Sequence, residues 1–304
     1  MLSLSEFLAL PTEEIARLAD AAGPQICAFP INGTRRWYLL ESGEGDDYLK
    51  LTARAHITVY RMLYAHGIHT LLAPVFGSDL LERGPEYAEM AVEGLAWLAT
   101  NPDFLDFYRE QDVRVRFYGD YREQLASTPY AHLPDLFDRV TMQTLQHHRH
   151  RIFFGVFASS ATQAVAQASI RHYSEHGHGP DQRQLLEKYY GENIEPVSFF
   201  IGFDKFCVFD LPLLSTGNTN LYFTVSPSLY LTERQLRAIL FDHLVARSAP
   251  EPDYAALGPL GRDRMRAFYR ANVDEVFGLG SLTDGIWYPR LANYPPEFTA
   301  QSEK

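Results

Sequence analysis

The sequence predicts an α/β protein: a mostly parallel central sheet with helices packed on both faces. Three observations carry this. Short apolar runs alternate with longer amphipathic ones along most of the chain, the breaks between them fall on residues that stop or start helices, and no internal repeat or Gly/Ser/Pro-rich linker interrupts the rhythm.

The first strand is QICAFP, at 25–30, and the amphipathic stretch 47–67 (DYLKLTARAHITVYRMLYAHG) is the helix that follows it. IHTLLAPVF (68–76) returns as a strand, EYAEMAVEGLAWLAT (86–100) as a helix and DVRVRFYG (112–119) as a strand. The beat repeats with helix LPDLFDRVTMQTLQHH, strand RIFFGVFA, helix TQAVAQASIRHYSEHG, strands PVSFFIGF and NLYFTV, and closing helix TERQLRAILFDHLVAR. Punctuation agrees: Gly67 follows His66 where a C-terminal cap belongs, Asn101-Pro102 stops the helix before it, and Thr232 followed by Glu233 marks a helix start. One domain over 1–295 is the simpler organisation. About 50 C-terminal residues form an irregular appendage, and 296–304 a frayed tail.

With 46% hydrophobic and 21% charged residues, the 304-residue chain has the balance of a soluble globular protein. A net charge of −11 sets its long-range field against nucleic acid and anionic membrane, so an anion must be caught locally. Cys27 and Cys207 lie in apolar segments outside any metal-ligand spacing, and both read as buried free thiols in a reducing cytosol. The N-terminal MLSLSEFLALPTEEI lacks a basic leader, and no uncharged run approaches the roughly 18 to 20 residues of a bilayer span. A cytoplasmic protein without integral membrane contact is expected.

Against that acidic background, NGTRRW (32–37) stands out just beyond the first strand, where ligands gather in parallel sheets. An Asn-Gly turn can aim successive backbone N–H groups at one point, and two guanidiniums add donor forks matched to phosphate oxygens. Read from residues alone, NG could equally be a plain turn and Arg35-Arg36 a solvated pair balancing Glu41, Asp46 and Asp47.

NGTRRW is similar to the DGNRRW motif of cis-prenyltransferases, which elongate isoprenoid diphosphates, and four further stretches resemble that family in the same order. These are APVFGSDLLERGPEY, VRVRFYGD, VSFFIGFDKF and LYFTVSPSLYLTERQLRAIL. A narrower resemblance joins FPINGTRRWYLLE, GDDY, HGIHTLLAPVFGSDLLERG, FYGDY, IGF, FDLPLLS, LYFTVSPS and DGIWY to diterpene synthases of the tuberculosinol and kolavelool synthase type. Most of the chain is covered.

The resemblance implies the cis-prenyltransferase fold, a homodimer formed through late helices and strands, and a diphosphate substrate accompanied by Mg²⁺. Gly33 and Thr34 amides with Arg35 and Arg36 would bind the diphosphate, with Arg83 a third guanidinium unless it pairs with Glu82 or Glu86. Tyr48 and Tyr87 match tyrosines suited to stabilising a carbocation or orienting water. Asn32 takes the catalytic position where the family carries Asp. An amide cannot hold Mg²⁺ tightly, so the metal would arrive on the diphosphate, assisted by Asp79, Asp46 or Asp47. Elongating relatives handle a second diphosphate with residues whose places carry Leu80, Leu81 and the nearly neutral GFDKF. One anion pocket remains, so chain elongation is not expected.

Three other patterns compete for attention. HYSEH (172–176) matches a zinc spacing, but Gly177 ends the segment at once and no third ligand follows; HHRHR (147–151) reads as a solvated helix-to-strand connection. FASSATQ, around Ser159 and Ser160, is not a nucleophile elbow. The resulting expectation is a diterpene synthase that ionises a bicyclic diterpenyl diphosphate of halimane or clerodane type and adds water. A terpene cavity lined by the 47–67 and 85–99 helices is expected to hold the hydrocarbon. Transfer to adenosine or another nucleophile, and a noncatalytic partner subunit, are the rivals.

Overall fold

The computed structural model describes residues 2–77, 84–158, 161–208 and 218–291. Helices α1 (Leu4–Leu8) and α2 (Thr12–Ala21) precede β1 (Gln25–Ala28). Then come α3 (Thr34–Glu41), α4 (Tyr48–Ala65), β2 (Ile68–Phe76), α5 (Pro85–Thr100), α6 (Pro102–Glu110) and β3 (Val113–Tyr118). The second half runs α7 (Tyr121–Leu125), α8 (Leu133–Gln143), β4 (His150–Val156), α9 (Ala161–His176), α10 (Gln182–Tyr190), β5 (Phe199–Phe203), β6 (Asn220–Thr224) and α11 (Glu233–Phe241). Helix α12 (Pro259–Ala271) and hairpin strands β7 (Gly280–Thr283) and β8 (Ile286–Pro289) complete it.

All six main strands are parallel, in the order β3-β4-β2-β1-β5-β6. The chain lays β2, β4 and β3 on one side of β1, then crosses to place β5 and β6 on the other. The strand order therefore reverses between β1 and β5, and the crevice beyond their carboxyl ends is where such sheets bind ligands. Alternation along each strand splits the core. Cys27, Phe29, Leu71, Ile152, Phe154, Phe199 and Ile201 face the larger layer with residues of α4, α5, α6 and α8. Ile26, Ala28, Leu72, Phe153 and Phe200 face the smaller one with Leu186 and Tyr190 of α10.

Several expectations need correction. The Asn101-Pro102 stop is also a start: the Asn101 side chain accepts from Asp103 N at 2.9 Å and opens α6. The Asp181/Gln184 capping box and Gly191 (φ 79°) bound α10, which was missed because its apolar stripe is short. HHRHR is not a solvated connection throughout. His150 starts β4, is buried and stacks on Tyr64 at 4.2 Å, and burial pushes it down to about 4. Cys27 is buried as expected, but Cys207 is exposed because it lies beyond the end of β5. The C-terminal appendage is not irregular, since it carries α12 and a hairpin. No described helix is long and apolar enough to cross a membrane.

Candidate active site

The residues after β1 do not form a free-standing turn. Gly33 takes φ 75° and becomes the N-terminal cap of α3, whose first backbone bond runs from Trp37 N to Gly33 O at 2.9 Å. A cap without a side chain leaves the first amides of α3 without capping from that residue, and its first turn holds no acidic residue. Backbone donors and the positive end of the helix dipole therefore point where the two arginines begin, the arrangement that binds anions at helix N-termini.

The loop is clamped from the far side of the crevice. A Cβ on Gly33 would lie 2.7 Å from a Phe203 ring carbon and 3.0 Å from Pro227 Cβ, so only glycine fits both the backbone angle and the space. Buried Ser228 does the rest. Its hydroxyl accepts from Asn32 N at 3.0 Å and donates to Pro30 O at 3.3 Å, and its own N donates to Asn32 O at 3.0 Å. Ser228 lies inside LYFTVSPS, and nothing in its spacing shows that it reaches back to the first strand.

Both guanidiniums are exposed yet anchored. The Arg35 guanidinium carbon lies 5.2 Å from the Tyr87 ring centre. Arg36 lies 4.7 Å from the Phe203 ring centre, and its Nη2 donates to Asp204 Oδ2 at 3.0 Å. Tyr48, the first residue of α4, meets Tyr38 edge-on at 4.9 Å, and Tyr38 donates its hydroxyl to Asp46 O at 2.7 Å. Gly33, Thr34, Arg35, Arg36 and Tyr87 are thus brought to one end of the sheet with Asn32, while Tyr48 stands at the start of the adjacent helix. Arg83 and Asp79 lie outside the described residues, as do Leu80, Leu81, Ser159 and Ser160.

Of the carboxylates expected as metal helpers, the two that are described, Asp46 and Asp47, have other work. Asp46 accepts from Gly43 N at 2.6 Å, and Asp47 caps α4 by accepting from Lys50 N at 2.8 Å. Asp204 is turned to Arg36. Among the described residues no group of three possible ligands is placed to hold a metal ion. The described part of the site therefore does not fit a Mg²⁺ held by protein carboxylates. The zinc-like HYSEH resolves into a salt bridge, Lys188 Nζ to Glu175 Oε2 at 2.5 Å, with His172 buried.

Behind the site, α4 and α5 approach closely enough that a Cβ on Gly94 would lie 3.2 Å from Leu49 Cδ2. Below that point Ile57, Tyr60, Val92, Leu95 and Leu98 are buried in one layer, and Tyr60 packs against Phe107 and Phe154 at 6.2 and 6.4 Å. The inner end of this helix pair is filled by aromatic rings.

No family model matches the chain. It is 45% identical over 291 residues to tuberculosinyl adenosine transferase of Mycobacterium tuberculosis, covering 95% of this chain and 98% of that one. It is 26% identical over 302 residues to (+)-kolavelool synthase of Herpetosiphon aurantiacus, covering 97% and 98%. Two solved structures share the fold. A probable undecaprenyl diphosphate synthase of Campylobacter jejuni matches with TM-score 0.56 at 14% identity, over 75% of this chain and 97% of that one. Lavandulyl diphosphate synthase of Lavandula x intermedia, in complex with dimethylallyl diphosphate, matches with TM-score 0.59 at 15% identity, over 74% and 97%.

Proposed function

From the premise that this chain belongs to the tuberculosinyl adenosine transferase family, on the cis-prenyltransferase fold, we propose that it ionises a bicyclic diterpenyl diphosphate of halimane or clerodane type. Water then quenches the allylic cation, giving a diterpene alcohol and inorganic diphosphate. The observation that carries this reading is the arrangement of the described residues after β1: amides at the start of α3 beside Arg35 and Arg36, clamped by Phe203, Pro227 and Ser228.

Breaking the C–O bond leaves negative charge on the diphosphate and positive charge on the allylic carbons. The α3 amides and the guanidiniums stabilise the first charge, and they are in place before the reaction. The rings and hydroxyls of Tyr48 and Tyr87 stabilise the second without trapping it covalently, and either hydroxyl can orient the incoming water. Asn32, fixed by Ser228, can accept a hydrogen bond from that water through its side-chain oxygen. A reactive cation needs little basicity in its environment, which reconciles an amide with the position. Mg²⁺, when bound on the diphosphate, would add charge neutralisation to the leaving group; Arg83 is proposed as a further diphosphate ligand and Asp79 as a carboxylate that would meet the metal.

A homodimer belongs to the same proposal. Val273, Val276 and Phe277 are exposed just beyond α12, Leu282 is exposed in the hairpin, and Leu221 of edge strand β6 and Val225 just past its end are exposed. A second copy would cover such a surface.

Incubating the purified protein with tuberculosinyl and kolavenyl diphosphates, with Mg²⁺ or with chelator, and identifying the products tests the reading. Diphosphate release and an alcohol are expected; no release from either substrate overturns it. A second reading, transfer of the diterpenyl group to adenosine, is favoured by the 45% identity to a protein that bears that activity in its name. Adding adenosine to the same incubation separates them: a tuberculosinyl–adenosine adduct at the expense of the alcohol replaces water as the acceptor.

A further inference from the structure

The Arg36 fork already holds an anion of the protein's own. Asp204 follows β5 directly, with φ 69° and its backbone N donating to Thr224 O at 3.1 Å, so β5 and β6 together fix where its carboxylate stands. Its side chain is only 14% exposed, against 46% for Arg36, and the two meet at 3.0 Å. A carboxylate buried to that degree beside an anion site opposes the ligand the site is built to take, unless the ligand replaces it.

We propose that Asp204 is a positioning residue that occupies the Arg36 fork in place of the diphosphate, and that substrate binding and product release proceed by exchange between them. This rests on the proposed diphosphate site. The geometry supports exchange rather than a permanent pair. Stacking on Phe203 holds the guanidinium plane whether or not the carboxylate is bound, so Arg36 can pass from a carboxylate to a phosphate oxygen without losing its place. Asn32 is uncharged, and among the described residues Asp204 is the carboxylate paired with Arg36 at this loop. After ionisation, Asp204 reclaims Arg36 as inorganic diphosphate leaves, which limits product inhibition.

The test is calorimetric titration of inorganic diphosphate, without added divalent cation, into wild type, Asp204→Asn, Asp204→Glu and the Arg35→Ala/Arg36→Ala double variant. Removing one negative charge next to the ligand is expected to tighten binding about tenfold in Asp204→Asn, with an effect that shrinks at high salt. Asp204→Glu restores a competing carboxylate and is expected to stay within about threefold of wild type. A merely structural Asp204 would give the opposite result, weaker binding in Asp204→Asn because Arg36 loses its support. Unchanged or weakened binding in that variant therefore overturns the exchange while leaving the site intact, provided wild type binds and the double-arginine variant does not. If neither wild type nor Asp204→Asn binds diphosphate, the proposed site falls and the exchange falls with it.

Discussion

Helix α4 begins and ends among tyrosines, and the two ends differ in kind. At its start, beside the carboxyl ends of the strands, Tyr48 is half-buried, touches Tyr38 and stands near the loop that carries the exposed Arg35 and Arg36. At its other end Tyr60 and Tyr64 are buried with Phe107 and Tyr108, and the Tyr64 hydroxyl is committed to Arg151 O at 3.1 Å. In the proposed reading the same residue type serves reaction at one edge of the sheet, and in the structure it serves packing at the other. What separates them is water: an aromatic face can meet a transient cation only where substrate can enter, and a buried phenol with a backbone partner has no spare interaction to offer.

The largest expected effect lies at the open end. Arg35→Ala/Arg36→Ala removes both guanidiniums and is expected to cut turnover of a diterpenyl diphosphate by about a thousandfold or more, the scale of losing charge stabilisation at a leaving group. Both side chains are exposed, so the melting temperature should move little. Steady-state kinetics beside thermal melts checks it. A collapse of stability with activity would show that the loop is structural and break the contrast between the two edges.

The next effect is at the closed end and is a stability effect. His150 is held down to about 4 chiefly by burial, below its unfolded value near 6.5, so between those pH values the unfolded chain binds a proton that the native state refuses. Stability must therefore rise with pH across that window and fall on acidification, by on the order of 2 kcal/mol at pH 4.5 for a shift of this size. His150→Phe keeps a ring against Tyr64 and removes the titration. Urea unfolding at pH 7 and pH 4.5 should show a shallower acid loss in the variant, with turnover at pH 7 retained. Equal acid sensitivity in both proteins would remove His150 as its cause.

The two edges were unequally legible in the sequence. Strands and major helices follow from periodicity because burial imposes it, and NGTRRW marks the candidate anion loop because an Asn-Gly turn followed by two arginines is a local signal, though family resemblance is needed to separate it from a plain turn. What stayed hidden is what tertiary structure brings from afar. Ser228 and Asp204 reach Asn32 and Arg36 across 196 and 168 positions, and neither lies in a pattern that declares the contact. Tyr48 and Tyr87 were separated from the other 16 of 18 tyrosines only by family resemblance, since composition gives a reactive phenol and a packed one the same letter. Cys207 was misread for a related reason: an apolar stretch beyond the end of a strand carries no signal of exposure.

Tyr48→Phe and Tyr87→Phe sharpen the contrast with smaller losses, expected at roughly ten- to a hundredfold in turnover with stability retained, the usual size of one positioned hydroxyl. Phe at 87 keeps a ring beneath Arg35 and loses only the hydroxyl, whereas Tyr87→Ala also removes the support under the guanidinium. An added rise in KM should therefore appear in Tyr87→Ala alone. If Tyr87→Phe and Tyr87→Ala have equal KM values, the ring contact does not position Arg35.

The smallest effect is the mirror of that experiment. Tyr108 is buried, and its hydroxyl donates to Leu98 O at 2.9 Å, joining α6 to α5. Tyr108→Phe deletes the hydroxyl, keeps the ring and leaves one carbonyl short of a donor. The net cost of such a bond is about 1 kcal/mol, with a further penalty only if that carbonyl finds no other donor. Chemical denaturation should register that loss, and turnover per folded molecule should stay within about twofold of wild type, because no part of Tyr108 reaches the carboxyl edge of the sheet where the diphosphate is expected to bind. A turnover loss matching that of Tyr48→Phe would mean that the closed end transmits its packing to the reacting atoms, and the aromatic layer would then be part of the site rather than its floor.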